Sequence, residues 1–258
     1  MKFSVIVCTL NSARFLRHNL ESLKVQKFRD FEVIVIDGYS TDSTAEIINK
    51  YRKYLPIKVF RQKPAGISAA MNFGLSKSKG EWIFYLHADD SLEDGGVFVD
   101  IDRAINVSKA DILYGQIRLI NTKRQTLGVF PRRRIFQLSW SWLLRLFNYI
   151  PHQATFVHRD VFNSIRLFDE GISSAMDYDF WLRAISRVKM KYVDRIVASF
   201  MVRDDSQSSS SANRDENQQN YRQVRSRYLS PTEIWISDLF ERLAELTNPI
   251  NKLTLNKK

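Results

Sequence analysis

Short apolar runs alternate with amphipathic helical patterns through residues 3–90, and this alternation constrains the fold more than any other feature of the chain. The patterns predict strands at residues 3–8, 32–36, 57–60 and 82–86, separated by helices at residues 12–26, 42–54 and 67–78. This order is typical of βαβ units with a parallel sheet. Because βαβ crossovers are right-handed, we expect the carboxyl ends of these strands to lie at one edge of the sheet.

The second half of the chain is less regular. The apolar patterns predict strands at residues 111–120, 126–130, 154–158 and 191–200, and helices at residues 96–107, 136–148 and 177–188. Residues 206–220 are rich in Ser, Asn and Gln, which predicts a mobile loop, and residues 221–246 predict a helix. Because no linker separates two domains, we expect one α/β unit with a C-terminal extension.

Composition limits the class of protein. The 258 residues suit one large domain with or without an appendage, and a hydrophobic fraction of 44% is enough for a substantial core. The single cysteine, Cys8, excludes a disulfide framework and favours a reducing compartment. Thr9 and Asn11 interrupt the first apolar run too early for a secretory segment, and no run of about 18 apolar residues predicts a membrane span. We expect a cytoplasmic protein that is soluble or lies at the inner face of a membrane.

The net charge of +11 is concentrated in one stretch of the chain. Between Ile112 and Arg159 there is no Asp or Glu. The basic residues of this stretch are Arg118, Lys123, Arg124, Arg132, Arg133, Arg134, Arg145 and Arg159. Such a local positive field implies a polyanionic neighbour, which is membrane lipid, a diphosphate or nucleic acid.

Residues 132–149 combine these cations with an apolar helical pattern that contains Trp140 and Trp142. Two interpretations are open. Aromatic and cationic side chains suit a bilayer interface, so the segment could make a peripheral membrane contact that brings the protein to a lipid-linked acceptor. The same pattern also fits a helix that covers the sheet with its aromatic side chains in the core.

Acidic side chains stand where elements of the predicted sheet end. Asp37 follows the second strand, Asp89 and Asp90 follow the fourth, and Asp177 opens a helix that also contains Asp179. In open α/β sheets, ligands bind beyond the carboxyl ends of the strands. Carboxylates at that edge can hold a divalent metal, a sugar nucleotide and a general base.

The chain resembles the family 2 glycosyltransferases of the GT-A fold, through ordered motifs at residues 4–11, 31–42, 66–72, 80–90, 151–154 and 168–183. The resemblance implies a doubly wound, mainly parallel α/β sheet. It implies a GT-A domain at residues 1–203, with a Rossmann-like nucleotide half at 1–110 and an acceptor half at 111–203. A C-terminal extension of a loop and a helix follows at 204–258.

The resemblance also implies an activity, which is the inverting transfer of a sugar from a nucleotide-diphosphate donor to the hydroxyl of a glycan or lipid-linked acceptor. It suggests a role in surface polysaccharide assembly and no nucleic-acid partner. The nucleotide-sugar-binding residues that it implies are Thr9, Asn11, Asp37, Gly66, Asn72, Asp89, His152 and Gln153. The implied metal ligands, for Mn²⁺ or Mg²⁺, are Asp89, Asp90 and His87.

The predicted donor-binding residues have plausible chemistry and simpler alternatives. The Asp37 carboxylate can accept hydrogen bonds from a nucleobase or ribose, or it can be a turn-forming Asp before Gly38. The family often has a second acid at the position of Gly38, so base recognition rests more on Asp37 and Thr9. Gly66 can let backbone approach a phosphate at the N-terminus of the following helix, or it can belong to an ordinary loop.

A divalent cation would neutralise the leaving diphosphate through oxygen ligands. The family usually has Asp-X-Asp at this turn, whereas this chain has His87-Ala88-Asp89, so His replaces the first acid. Imidazole suits Mn²⁺ better than Mg²⁺, although His87 could bind phosphate instead. Asp89 is the first choice of ligand and Asp90 the second, and the alternative is a turn capped by Asp.

Asp177 holds the position of the family's general base, which activates a weakly nucleophilic acceptor hydroxyl. Met176 stands before it, where an acid is common in the family. Asp177 can instead, or in addition, cap the helix that follows. His152 and Gln153 fit contacts to the diphosphate or the acceptor, or a satisfied polar pair.

Three other functions remain open from the sequence. The departures at His87 and Met176 fit a catalytically inactive sugar-nucleotide-binding protein. The positive charge fits a nucleic-acid-binding protein, although no recognition module is present in the sequence. A dinucleotide-dependent oxidoreductase is disfavoured, since no Gly-X-Gly-X-X-Gly follows the first strand.

Overall fold

The alternation expected for the first part of the chain is present in a computed structural model, which describes residues 1–131, 141–203 and 214–247. In chain order its elements are β1 (Phe3–Thr9), α1 (Ala13–Lys24), β2 (Phe31–Asp37), α2 (Thr44–Tyr51), β3 (Ile57–Arg61), α3 (Ile67–Lys77) and β4 (Trp82–Tyr85). These bounds lie close to the predicted ones, so the βαβ interpretation of this region is confirmed.

The second part contains the predicted strands and two short elements that the sequence patterns missed, β5 and α6. Its elements are β5 (Ser91–Leu92), α4 (Val97–Ser108), β6 (Ile112–Ile120), β7 (Thr126–Phe130), α5 (Ser141–Leu146), β8 (Thr155–His158), α6 (Arg159–Ile165), α7 (Met176–Ala184), β9 (Met190–Met201), α8 (Arg214–Tyr228) and α9 (Pro231–Thr247). Residues 132–140, and with them the first part of the helix predicted at 136–148, lie outside the described residues.

The strands of both halves form one mixed sheet with the order β3-β2-β1-β4-β8-β6-β9-β5, and β7 pairs with β6. β1 is parallel to β2 and β4, and β2 is parallel to β3. β8 is antiparallel to both β4 and β6, and β9 returns parallel to β6. The predicted nucleotide half therefore supplies the parallel strands β1 to β4, whereas its short strand β5 joins the mixed part by antiparallel pairing with β9.

Helices cover both faces of this sheet. Successive residues of β1 belong to different buried clusters: Ile6 packs with α3 and α7, whereas Val5 and Val7 pack with α1, α2 and α4. A strand that is buried on both faces reads as a continuous apolar run, which is the pattern seen in β1 and β2. None of the described helices has the length and apolarity needed to cross a bilayer.

In the C-terminal region, the helix boundaries differ from the predicted ones. Residues 206–220 were expected to form a loop, but residues 214–220 belong to α8, and the predicted helix at 221–246 is divided by the break before Pro231. Proline is favoured at the first position of a helix, where its missing N–H costs nothing. The polar composition of α8 indicates a loop, but its packing on α7 decides the outcome, since the rings of Tyr178 and Tyr221 lie 5.6 Å apart.

Gly80 lies where β4 approaches β1, and replacing it with Ala should destabilise the fold. A Cβ atom there would lie 2.6 Å from the carbonyl carbon of Phe3 and still closer to the backbone nitrogen of Ser4. Because backbone cannot move aside as a side chain can, we expect a loss of about 1–3 kcal/mol or more in the free energy of unfolding. Gly128→Ala is the control, since its Cβ would meet nothing within 4 Å. Urea denaturation of both variants tests this, and equal stabilities would contradict it.

Candidate active site

A cavity of about 430 Å³ opens at the carboxyl ends of β1 and β4, beside the N-terminus of α7. It brings together six of the residues that the sequence singled out, namely Asn11, His87, Asp89, His152, Gln153 and Asp177. The acidic residue after β4 and the acidic residue of α7 therefore face one space, although 88 positions of sequence separate Asp89 from Asp177. This is the arrangement that a donor and an acceptor would need to meet.

A second cavity of about 320 Å³ adjoins the first, and the two share Cys8, Leu10 and Ile67 in their walls. Thr9 and Gly66 line the second cavity. The hydroxyl oxygen of Thr9 is buried, and no residue in the described ranges accepts from it or donates to it. Gly66 has φ 91°, a left-handed conformation that residues with a Cβ rarely adopt, and it directly precedes α3.

Asp37 and Asn72 lie outside both cavities, and protein groups bind their side chains. Asp37 Oδ1 accepts hydrogen bonds from the backbone N–H and the hydroxyl of Ser40, and Oδ2 lies 3.6 Å from Nε of Arg61. Asn72 donates to the carbonyl of Phe168 and to Glu170, and it accepts from the N–H of Phe168. The turn-forming interpretation describes this geometry of Asp37, and base recognition by Asp37 stays a prediction.

The turn after β4 separates its two acidic residues. Asp89 lines the larger cavity, and its Oδ2 lies 3.0 Å from the Arg203 guanidinium at the end of β9. Asp90 is fully buried, and its Oδ1 accepts from the N–H of Met201. Burial, and then the charge of Asp89, raise the pKa of Asp90 well above its usual range. Asp90 does not line the cavity, so its carboxyl group is less accessible to a bound cation than that of Asp89.

The predicted metal set of His87, Asp89 and Asp90 stays a prediction. Within the described residues, no three His, Cys, Asp or Glu side chains come together as a metal site. A partial site still fits, because ions such as Mg²⁺ are usually held by one or two carboxylates together with substrate phosphates. Asp89 provides one such carboxylate. His87 lines the same cavity, and burial lowers its pKa, which favours the neutral ring that a metal requires.

Asp177 lies in the first turn of α7, which begins one residue earlier than predicted, at Met176. Its Oδ1 accepts from the N–H of Tyr178 at 2.7 Å, and its Oδ2 accepts from the amide of Asn148 at 3.4 Å. Burial raises the pKa of Asp177, and these two hydrogen bonds oppose the rise because they favour the ionised form. A carboxylate with a raised pKa at the wall of a cavity has the properties of a general base.

Helix α8 supplies part of the cavity wall, which the sequence patterns did not anticipate. Asn217 and Tyr221 line the cavity together with the residues that follow β1 and β4. Asn220 fixes α8 in place by donating to the hydroxyls of Ser173 and Ser174, each at 2.9 Å. The signal for this wall was weak, because residues 214–220 have the composition of a loop and Tyr221 stands alone among polar residues.

His152 lies in the floor of the cavity and is only 4% exposed. Its ring stacks on Tyr85 with centroids 5.4 Å apart, and it contacts Phe168 edge-on. Both ring nitrogens are buried, and they have no hydrogen-bond partner within the described ranges. Burial, with a smaller contribution from His87, lowers the pKa of His152 to about 3. The ring is therefore neutral near pH 7, which argues against a charged contact to a diphosphate.

Comparisons with known proteins identify the family. The family described as "Glycosyl transferase family 2" matches residues 4–166. The chain belongs to this family. It is 31% identical over 204 residues to a PGL/p-HBAD biosynthesis glycosyltransferase of Mycobacterium bovis, and this similarity covers 77% of the chain and 76% of the relative. The resemblance stated from the sequence motifs is thereby confirmed.

Two solved structures share the fold of this chain. Staphylococcus aureus TarS 1-349 in complex with UDP-GlcNAc superimposes with a TM-score of 0.73 at 23% identity, over 100% of this chain and 76% of that one. The mannosyltransferase PcManGT from Pyrobaculum calidifontis, in complex with GDP-Man and Mn²⁺, gives a TM-score of 0.68 at 16% identity, over 95% of this chain and 69% of that one. The chain therefore has the GT-A fold of these glycosyltransferases.

Replacing His152 with Phe should make the stability of this family 2 protein less sensitive to acid. The unfolded chain takes up a proton at His152 near the ordinary pKa of about 6.5, whereas the folded chain does so only near a pKa of about 3. Protonation therefore favours the unfolded state as the pH falls below about 6.5. Between pH 6.5 and pH 5, the wild type should lose about 1–2 kcal/mol more than the variant. Urea denaturation at both pH values measures this difference, and equal losses would contradict the burial of an unpaired ring.

Proposed function

We propose that the protein is an inverting glycosyltransferase that moves a sugar from a nucleotide-diphosphate donor to an acceptor hydroxyl. One observation carries the proposal: in a chain of this family, Asp89 and Asp177 line the same cavity at the carboxyl edge of the sheet. The first carboxylate is placed for the leaving group, and the second is placed for the nucleophile. We further propose a cytoplasmic location and a role in the assembly of a surface polysaccharide or glycolipid.

The donor would occupy both cavities. The smaller cavity, with Thr9 and Gly66, has the size and the mixed lining that a nucleoside requires, and the buried hydroxyl of Thr9 offers it a hydrogen bond. The larger cavity then receives the diphosphate and the sugar, because the shared wall at Cys8, Leu10 and Ile67 connects the two spaces. Structures with the same fold hold UDP-GlcNAc or GDP-Man, so both uridine and guanosine donors belong in a screen.

Asp177 would act as the general base. The acceptor hydroxyl gives its proton to the carboxylate while its oxygen bonds to the anomeric carbon, and the bond between that carbon and the diphosphate oxygen breaks with its electron pair leaving on the diphosphate. Attack on the face opposite the leaving group inverts the anomeric centre. Holding donor and acceptor in line can contribute as much as ~7–11 kcal/mol to lowering the barrier.

Asp89, together with His87, would hold a divalent cation with the donor phosphates. Such a cation supplies charge neutralisation for the departing diphosphate. Arg203 pairs with Asp89 and lies over the ring of Phe15, with its guanidinium carbon 4.5 Å from the ring centroid. The Arg203 guanidinium is thus held at the cavity wall, where it can bind a phosphate oxygen as well.

The acceptor would enter on the side formed by α8, where Asn217 and Tyr221 line the cavity. The neighbouring α5 leaves open both interpretations of residues 132–149. Leu144 and Leu146 are buried, as expected for a core helix, whereas Trp142 is 48% exposed, as expected for a membrane contact. We retain a lipid-linked acceptor as the proposal, with peripheral contact through residues 132–149.

A thermal-shift screen with UDP-, GDP- and dTDP-sugars, with and without Mn²⁺, tests donor binding. Donor hydrolysis in the presence of Mn²⁺ then separates an enzyme from an inactive sugar-nucleotide-binding protein. Stabilisation by a nucleotide sugar together with hydrolysis supports the proposal. Stabilisation without hydrolysis or transfer to any acceptor would favour the inactive binder, and the absence of both would overturn the proposal.

Asp177→Asn should bind the donor like the wild type and turn over poorly. The substitution preserves the size of the side chain but removes the proton acceptor, so kcat should fall on the order of 10²–10⁴-fold. Asp160→Asn is the matched control, since this carboxylate is 79% exposed and lines neither cavity. Steady-state rates and donor affinity measure the two effects. Wild-type turnover in Asp177→Asn would defeat the assignment of the base.

Asp89→Asn should weaken the dependence of donor binding on Mn²⁺, whereas Asp90→Asn should preserve it. Asp89 faces the cavity, but Asp90 is buried and its acceptor contact to the N–H of Met201 can be kept by the amide oxygen of Asn. Titration of UDP with and without Mn²⁺ gives the metal-dependent gain in affinity for each variant. A larger loss of that gain in Asp90→Asn would contradict the assignment of Asp89 as the ligand.

A further inference from the structure

The amide group of Asn148 connects Asp177 with helix α8. Its nitrogen lies 3.4 Å from Oδ2 of Asp177 and 3.4 Å from the hydroxyl oxygen of Tyr221. An amide nitrogen carries two protons, so it can donate to both groups at once. Asn148 lies in the segment between α5 and β8, and Tyr221 lies on α8, so the contact joins three separate parts of the chain.

Tyr221 is well placed to fix this amide. Its ring packs against that of Tyr178, the residue after Asp177, and α8 is held against α7 by further contacts at its C-terminal end. There the hydroxyl of Tyr228 donates to Asp179 at 2.8 Å, and Arg227 lies 3.5 Å from the same carboxylate. A side chain held by a packed helix loses little entropy when it orients a neighbour, which is the property expected of a positioning residue.

We propose that Asn148 and Tyr221 are positioning residues for the general base, with Tyr221 orienting the Asn148 amide and the amide aiming the Asp177 carboxylate and stabilising its ionised form. The inference rests on the proposed function, since it assigns to Asp177 the role of proton acceptor. Each carboxylate oxygen keeps a second lone pair after these hydrogen bonds, so the acceptor hydroxyl can still approach.

The electrostatics around Asp177 favour this reading. Burial opposes the charged form of Asp177, and the hydrogen bonds from the N–H of Tyr178 and then from the amide of Asn148 favour it. The charged groups on the surrounding elements are engaged with one another, as Asp179 with Arg183, Arg145 with Glu233, Arg225 with Asp238 and, across the cavity, Asp89 with Arg203. His87 and Tyr221 also line the cavity. The neutral amide of Asn148 is a side-chain donor to the base, beside the backbone N–H of Tyr178.

The proposal also explains why a helix beyond the matched family region reaches the active site. The match to the family covers residues 4–166, whereas Tyr221 lies on α8, after the last strand of the sheet. By this inference, α8 forms part of the cavity wall and also orients Asp177 through Tyr221 and Asn148.

The test is a double-mutant cycle read through pH profiles of kcat/KM, using the donor found by the nucleotide-sugar screen. Asn148→Leu removes the donor amide, so the acidic limb should move to higher pH, and at a pH on that limb the rate should fall on the order of 10-fold. Tyr221→Phe should move the limb in the same direction by less. The double variant should match Asn148→Leu, since Tyr221 acts through the amide.

Controls separate this role from a purely structural one. Tyr54→Phe removes a phenol hydroxyl from an exposed residue outside the cavity, and its pH profile should match that of the wild type. Thermal unfolding and UDP affinity report whether each variant folds and binds the donor nucleotide. Tyr221→Phe keeps the ring that packs on Tyr178, so it tests the hydroxyl contact even where Asn148→Leu folds poorly.

The outcomes distinguish the inference from the function on which it rests. Asp177→Asn is inactive if the proposed function is correct. If Asn148→Leu and Tyr221→Phe then lower the plateau of the kcat/KM profile without moving its acidic limb, this inference is overturned and the proposed function stands. Additive effects of Asn148→Leu and Tyr221→Phe would also overturn it, because Tyr221 would then act without the amide. Wild-type turnover by Asp177→Asn would overturn both.

Discussion

The parallel pairing of β1 with β2 and β4 is the constraint on which the rest of the site depends. Register places Thr9 beside Asp37, and β4 ends next to Ile6, so the chain leaves three strands at the same edge of the sheet. The close approach at Gly80 allows β4 to enter this register against β1. Since both faces of these strands are buried by helices, the ligand-binding groups can project only from the strand ends.

The second constraint is the seating of α7 and α8 against that edge. Asp179 is buried and takes part in contacts with Arg183, Arg227 and Tyr228, so it joins the two helices through one carboxylate. A buried charge is tolerated where ion pairs and hydrogen bonds satisfy it, and breaking such a group is costly. The network around Asp179 is thus the anchor, and it leaves Asp177, two residues earlier, at the cavity wall.

Sequence patterns predicted the βαβ half of the fold and the strand-end position of the acidic residues, because periodicity and strand order determine both. They did not predict that Asp89 faces the cavity while Asp90 is buried, because the two residues are adjacent in one turn. The buried position of Asp90 involves β9, where the N–H of Met201 donates to its carboxyl group. They missed the first part of α8, residues 214–220, because its composition favours a loop and its helical state depends on contacts with α7. The burial of both nitrogens of His152 likewise depends on neighbours distant in sequence, Tyr85 and Phe168.

The pairing of Asp89 with Arg203 links donor binding to the charge state of the cavity. Asp89 and Arg203 pair at 3.0 Å, so their opposite charges balance each other at this wall of the cavity. A diphosphate brings negative charge to this wall, where it attracts Arg203 and repels Asp89 unless a cation lies between them. Binding of the diphosphate and binding of a divalent cation at Asp89 are therefore expected to favour each other, since each removes the repulsion that the other alone would meet. In the proposed mechanism, this coupling would place the chemistry of the leaving group beside Asp89 and Arg203 and the acceptor beside α7 and α8.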